Sequence, residues 1–208
     1  MSSAVRYLKL YINGQASKGN YEVSALAKDY VSDKVIDPTI RSSKSAVLPE
    51  DPVVSCIERR SLDFQGFLPT SQIENLQTVK YETDDVFRSH YDWLNGVGAD
   101  GKDNPRLSTI FAYVEADNVV GGSTQFPRIK VKFTEAWCKF IDCDSEIAKE
   151  AEGVGFKPLV GNAVLFMQYY ANGTGHPDVL HQGMPVKAGT KIGMNIMTRQ
   201  FPGYSPDF

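Results

Sequence analysis

The sequence predicts an α+β domain with a β-sandwich or jelly-roll core, helices coming first and antiparallel strands after them. Two observations carry this. Before residue 74 apolar residues recur at roughly helical spacing. After it they fall in short runs rich in β-branched and aromatic residues, punctuated by Gly, Asn, Asp and Pro. The size agrees: 208 residues, 42% hydrophobic and 23% charged, suffice for one domain with a full core.

Taken in order, "MSSAVRYLKLYINGQ" has isolated apolar residues but no continuous signal-peptide core. A weak helix is predicted over "YEVSALAKDYVSD" (21–33). A stronger one lies in "EDPVVSCIERRSLDFQGF". There Asp51 is placed to cap, Pro52 sits at the first helical position, and Val53, Val54, Ile57 and Phe64 form the apolar stripe. Strands are predicted in "ENLQTVKYE", "RLSTIFAYVEA", "KPLVGNAVLFMQYY" and "KIGMNIMTRQF". The Gly- and Asp-rich "NGVGADGKDNP" (95–105) reads as a mobile loop of the kind that covers sites. Phe126 to Gly153 reads as a long insertion with its own strand and helix. The expected organisation is an N-terminal segment, 1–40, packed on a main domain, 41–208.

A net charge of −3 without a Lys/Arg block disfavours nucleic acid and anionic membranes as partners. No apolar run approaches the ~20 residues of a membrane helix. Three cysteines, an odd and small count, fit a reducing compartment, and the expected location is cytoplasmic. Cys138 and Cys143 are close enough in sequence to pair; two cysteines alone make a poor zinc site.

The chemistry starts at "FRSHYDW" (87–93). On a strand, residues two apart share a face, so His90 and Asp92 could offer an imidazole nitrogen and a carboxylate oxygen to one point. With a second histidine this is the facial triad of non-haem iron(II) oxygenases. Taken alone, His-x-Asp more often marks an ordinary half-exposed strand. The two remaining histidines are His176, before Pro177 in a Gly-rich turn where side chains are usually solvated, and His181, which follows Val179 and Leu180 and opens a strand. His181 is preferred. Ten residues on, Lys191 opens a mostly apolar strand. Aimed inward, it would need an anionic partner such as a bound dicarboxylate; the commoner case for such a lysine is an exposed strand end.

From Arg41 to Arg199 the chain resembles the catalytic domain of the prolyl 4-hydroxylases, within the iron(II)- and 2-oxoglutarate-dependent dioxygenases. The resemblance lies in ordered motifs: "RSSKSAVL…VVSCIERRSLDFQGF", "ENLQTVKYETDDVFRSHYDW", "RLSTIFAYV" followed by "GGSTQFP", "VGFKPLVGNAVLFMQY" and "LHQGMPVKAGTKIGMN". It implies a double-stranded β-helix core with N-terminal supporting helices. Iron(II) would be held by His90, Asp92 and His181. Lys191 would pair with the distal carboxylate of 2-oxoglutarate, assisted by Tyr81, with Thr109 and Asn195 lining the same pocket. Arg106 would help hold substrate or loop. The implied reaction uses O2 and 2-oxoglutarate, and leaves room for ascorbate. It hydroxylates an unactivated C–H bond of a prolyl or similar cyclic amino-acid group, releasing succinate and CO2.

Three positions near the expected mouth depart from the family pattern. Phe87 stands for a common tyrosine, and Ile192 and Met197 for common tryptophans. With Phe87, Arg106 and Met197 as the substrate-facing residues, these changes point to a small molecule or short peptide as readily as to a long one. Other readings of the scaffold are a catalytically silent binding module, a cupin-like non-oxidative metal enzyme, or an oxygenase of small-molecule metabolism acting by hydroxylation, desaturation or ring formation.

Overall fold

The structure is a computed structural model and describes residues 5–9 (backbone only), 40–66, 73–93, 106–130, 134–143 and 153–199. The elements with most bearing on the site are strands β1 (Val5–Lys9), β2 (Lys44–Val47), β3 (Gln77–Tyr81), β4 (Phe87–His90), β5 (Arg106–Gly121) and β6 (Thr124–Phe126), then β7 (Val154–Phe156), β8 (Asn162–Met167), β9 (His181–Gly183) and β10 (Val186–Arg199). They form two antiparallel sheets, one ordered β1-β8-β5-β10-β3-β2 and the other β4-β9-β6-β7. Between the sheets lies an aromatic core that includes Phe111, Tyr113, Phe126, Phe156 and Phe166. The helix expected over 21–33 and the loop expected over 95–105 lie outside the described residues.

Helix α1 (Pro52–Gln65) begins as its sequence dictates. Asp51 Oδ1 accepts from the backbone N–H groups of Val53 (2.7 Å) and Val54 (2.8 Å), and Pro52 takes the first turn, where a missing N–H costs nothing. Gly66 ends it at φ 84°, a left-handed conformation that favours glycine, with its N–H on Leu62 O. The buried face differs from the predicted stripe. Val54, Ser61 and Leu62 are buried and Val53 and Phe64 exposed, because the helix is rotated to set Val54 and Ile57 on the outer face of the larger sheet, against Leu76, Ile110, Ala163, Leu165 and Ile196. Asp51→Ala should lower the stability of the protein by about 1 kcal/mol, read from the urea midpoint at unchanged m-value.

Strand alternation sorts β10 cleanly. Lys191 pairs with Tyr81, Gly193 with Val79 and Asn195 with Gln77 across β3, so these residues face inward. Met194 and Ile196 face α1. At Gly193 an added Cβ would sit 2.1 Å from Phe111 Cζ, so only glycine lets that ring cross β10 between Lys191 and Asn195. Ile192 pairs with Lys80 and Glu115 on the face of β10 opposite Lys191, where it is buried, so the expectation that it stands at the mouth is corrected by the period of the strand.

The N-terminal β1 pairs with β8, so this part of the 1–40 segment is hydrogen-bonded into the core sheet. Within 126–153 the described residues hold a short 3-10 turn, Glu135–Trp137, and a bridge from Ile141 to Phe156. Cys138 and Cys143 are joined as a disulfide with Cα atoms 5.5 Å apart, so the cysteine count carries no argument for a reducing compartment. Among the described residues no helix is long and apolar enough to cross a membrane.

Candidate active site

The antiparallel pairing of β4 with β9 sets His90 directly opposite His181, ring centroids 4.2 Å apart. Asp92, just past the end of β4, is buried between them. Its Oδ1 lies 3.7 Å from His90 Nε2 and its Oδ2 3.8 Å from His181 Nε2, too far for hydrogen bonds. The three ligand atoms fall within 4.8 Å of one another.

The hydrogen bonds behind this cluster fix its chemistry. His90 Nδ1 meets Arg88 O at 2.8 Å and His181 Nδ1 meets Val179 O at 2.9 Å. A carbonyl only accepts, so each Nδ1 carries a proton, which leaves Nε2 as the ring nitrogen able to ligate a metal. Thr109 Oγ1 donates to Asp92 Oδ2 at 2.7 Å, and Gln168 Nε2 donates to Thr109 Oγ1 at 3.0 Å. Burial, and then His181, pull His90 down to about 4, against the pull of Asp92. Burial pushes the Asp92 carboxyl up, but His181, His90 and Thr109 together outweigh it and hold the group below its usual range. Two imidazole Nε2 atoms and a carboxylate thus converge on one point. That donor set fits a divalent metal such as iron(II), each ligand held from behind by a partner.

A second unbalanced charge lies deeper. Lys191 is fully buried, its Nζ donates to Gly122 O and lies 4.3 Å from the centroid of the Tyr81 ring, and burial pulls it down to about 7. No carboxylate pairs with it among the described residues. Gly122 presents its carbonyl from a left-handed backbone (φ 68°), where an added Cβ would crowd Val186.

No family model matches the chain. Curated relatives do. The chain is 30% identical over 172 residues to a probable prolyl 4-hydroxylase 3 of Arabidopsis thaliana, covering 81% of this chain and 58% of that one. It is 32% identical over 177 residues to prolyl 4-hydroxylase 2 of the same plant, covering 84% and 58%. The chain is thus similar to prolyl 4-hydroxylases over most of its own length. It spans less than two thirds of the length of these relatives. A viral collagen prolyl hydroxylase from Paramecium bursaria Chlorella virus-1, solved as its 2OG complex, shares the fold, with TM-score 0.62, 20% identity, and 96% of this chain and 97% of that one covered.

The fold of this prolyl 4-hydroxylase-like chain brings most of the predicted site residues together. Tyr81 lies under Lys191, and Thr109 and Met197 face each other across β5 and β10. Thr109 binds the Asp92 carboxylate. Asn195 shares the inward face with Lys191, and its amide donates to Gln77 Oε1 at 3.3 Å. Phe87 stacks on His90 at 3.7 Å because a register shift in β4 brings residues three apart to one face. Arg106 donates from Nε and Nη2 to the two carboxylate oxygens of Glu74, at 2.6 and 3.0 Å, an acid it shares with Arg199.

His176 is not solvated as its turn implied. It is buried, packs on Tyr170, and its Nδ1 accepts from the Asp178 N–H. Gln168 and Arg41 were missed as site residues. Gln168 had a signal, a lone polar residue in phase with the inward Val164 and Phe166; Arg41 had none.

Proposed function

We propose that the chain is an iron(II)- and 2-oxoglutarate-dependent dioxygenase that hydroxylates an unactivated C–H bond of a prolyl or similar cyclic amino-acid group. His90, Asp92 and His181 hold the metal, residues 41–208 form the catalytic unit, and the segment before them supports it. The observation that carries this reading is the convergence of three lone-pair donors on one point, each fixed from behind, beside a buried lysine that no carboxylate pairs with among the described residues. Both features are costly in the free protein and are balanced by a cation and an anion respectively.

Iron(II) with O2 and 2-oxoglutarate supplies the oxidising power, one oxygen atom entering the substrate C–H bond and the other leaving in succinate, with release of CO2. The protein's part is placement. Lys191 receives the distal carboxylate of 2-oxoglutarate, and Tyr81 forms the aromatic floor beneath that ammonium. Thr109 and Gln168 keep the Asp92 carboxylate turned toward the histidines. Phe87 and Met197 are apolar, so this part of the wall selects hydrocarbon over peptide backbone.

The test is anaerobic iron loading, followed by air and 2-oxoglutarate with two panels, proline-rich peptides and free cyclic amino acids with small metabolites. Succinate release with a mass gain of one oxygen in a panel member is expected; no succinate under any condition would sink the reading. A second experiment probes the ligand support. Thr109→Val should weaken metal binding about tenfold to a hundredfold in a competitive titration, and Thr109→Ser should retain it.

A further inference from the structure

Among the described residues Arg41 is a cation without an acid. It bridges to Phe87 at the edge of the smaller sheet, and its guanidinium lies 4.9 Å from the centre of the Phe87 ring, the ring that stacks on His90. Its Nε donates to Ser43 Oγ at 2.9 Å. Its Nη2 is buried and has no hydrogen-bond partner among the described residues. The other partly buried arginines differ: Arg106 and Arg199 both close on Glu74. A guanidinium presents a planar fork of donors suited to a carboxylate, and leaving a buried charged donor unmet is costly. Among the described residues no acid meets Arg41, which lies on the Phe87 side of the metal ligands.

We infer that Arg41 is a substrate-recognition residue and that the primary substrate carries a free carboxylate which Arg41 receives while its apolar ring lies against Phe87. The inference rests on the proposed function and sharpens it. It favours a free cyclic amino acid, or a peptide ending in one, over the interior of a long chain, because an internal residue has no carboxylate to offer. The carboxylate of 2-oxoglutarate has the same chemistry, but that molecule already has Lys191, over the Tyr81 ring.

The experiment uses the full chain loaded with redox-inert Mn(II) and 2-oxoglutarate, titrated calorimetrically with N-acetyl-L-proline and with its neutral partner N-acetyl-L-prolinamide. Wild type should prefer the carboxylate about tenfold or more, Arg41→Gln should bind both alike, and Arg41→Lys should restore part of the preference. Equal binding of the pair by wild type, binding of neither, or a preference that survives in Arg41→Gln would overturn the proposal. So would a loss in Arg41→Gln of 2-oxoglutarate affinity in place of the probe preference, which would assign Arg41 to the co-substrate. Arg41→Lys, with thermal melts of each variant, separates a folding defect from a lost contact. Wild type that binds no 2-oxoglutarate would fail the proposed function itself, and this inference with it.

Discussion

Alanine at His90, Asp92 or His181 abolishes iron-dependent 2-oxoglutarate turnover, whereas His176→Ala retains it: this is the expected outcome of the geometry. His176 belongs to a different construction. It precedes the 3-10 turn Pro177–Val179, accepts from Asp178 N, and stacks against Tyr170 at 4.0 Å. Its loss should cost stability on the scale of a helix cap, with the metal site intact. Asp92→Asn separates misfolding from lost ligation. The amide can keep an oxygen toward Thr109 and turn its donor toward an imidazole Nε2, so the metal-free variant should melt no lower than metal-free wild type. The upward shift in melting temperature on adding Mn(II), which reports binding to the folded state, should disappear. A His176→Ala variant that loses the metal, with His181→Ala keeping it, would show that the wrong histidine had been assigned.

How much of this was legible in the sequence depended on whether the signal was local. The cap at Asp51 and the proline after it are local chemistry, and the helix starts where they place it. The inward face of β10 follows from alternation counted from Lys191, which is why Asn195 lies on the face that Lys191 presents. The same rule, left unapplied at Ile192, put that residue on the wrong face. His90 and Asp92 were readable as a pair because a two-residue spacing survives the end of β4. The approach of His181 to them depends on β4 pairing with β9 across 91 positions, which only the ordered motifs implied. Non-local features left little trace. The Gln168–Thr109–Asp92 chain joins three elements, and nothing near "TIRSS" marks Arg41 as a residue whose guanidinium reaches Phe87. His176 was misjudged because a Gly-Pro setting describes the backbone of a turn and not what packs over it.

Lys191→Met should weaken 2-oxoglutarate binding about tenfold to a hundredfold, the range of a charge-assisted hydrogen bond, while metal affinity stays near wild type. The same substitution should stabilise the ligand-free protein near neutral pH. Lys191 is sealed from water, has one carbonyl acceptor in Gly122, and has no carboxylate among the described residues, so the folded state carries an ammonium it holds poorly. Burial pulls it to about 7, from the 10.5 of an exposed lysine. Between those values the unfolded chain binds a proton that the folded chain does not. The stability of ligand-free wild type should therefore climb as pH rises from about 7 to about 10.5, and the penalty is present in full below that window. Methionine has no proton to lose, so this contribution to the slope vanishes in Lys191→Met and the variant gains most below pH 7. Gly122 O loses its donor, which offsets part of the gain. Binding of the dianion reverses the balance, because a carboxylate beside Lys191 favours its ammonium form. Above neutral pH, wild type should take up a proton on binding 2-oxoglutarate, visible as a calorimetric enthalpy that changes with the ionisation enthalpy of the buffer. Lys191→Met should show no such dependence. An unchanged 2-oxoglutarate affinity in Lys191→Met would remove the lysine from the site, and a ligand-free variant less stable than wild type at pH 6 would show that the ammonium has a partner worth more than its burial costs.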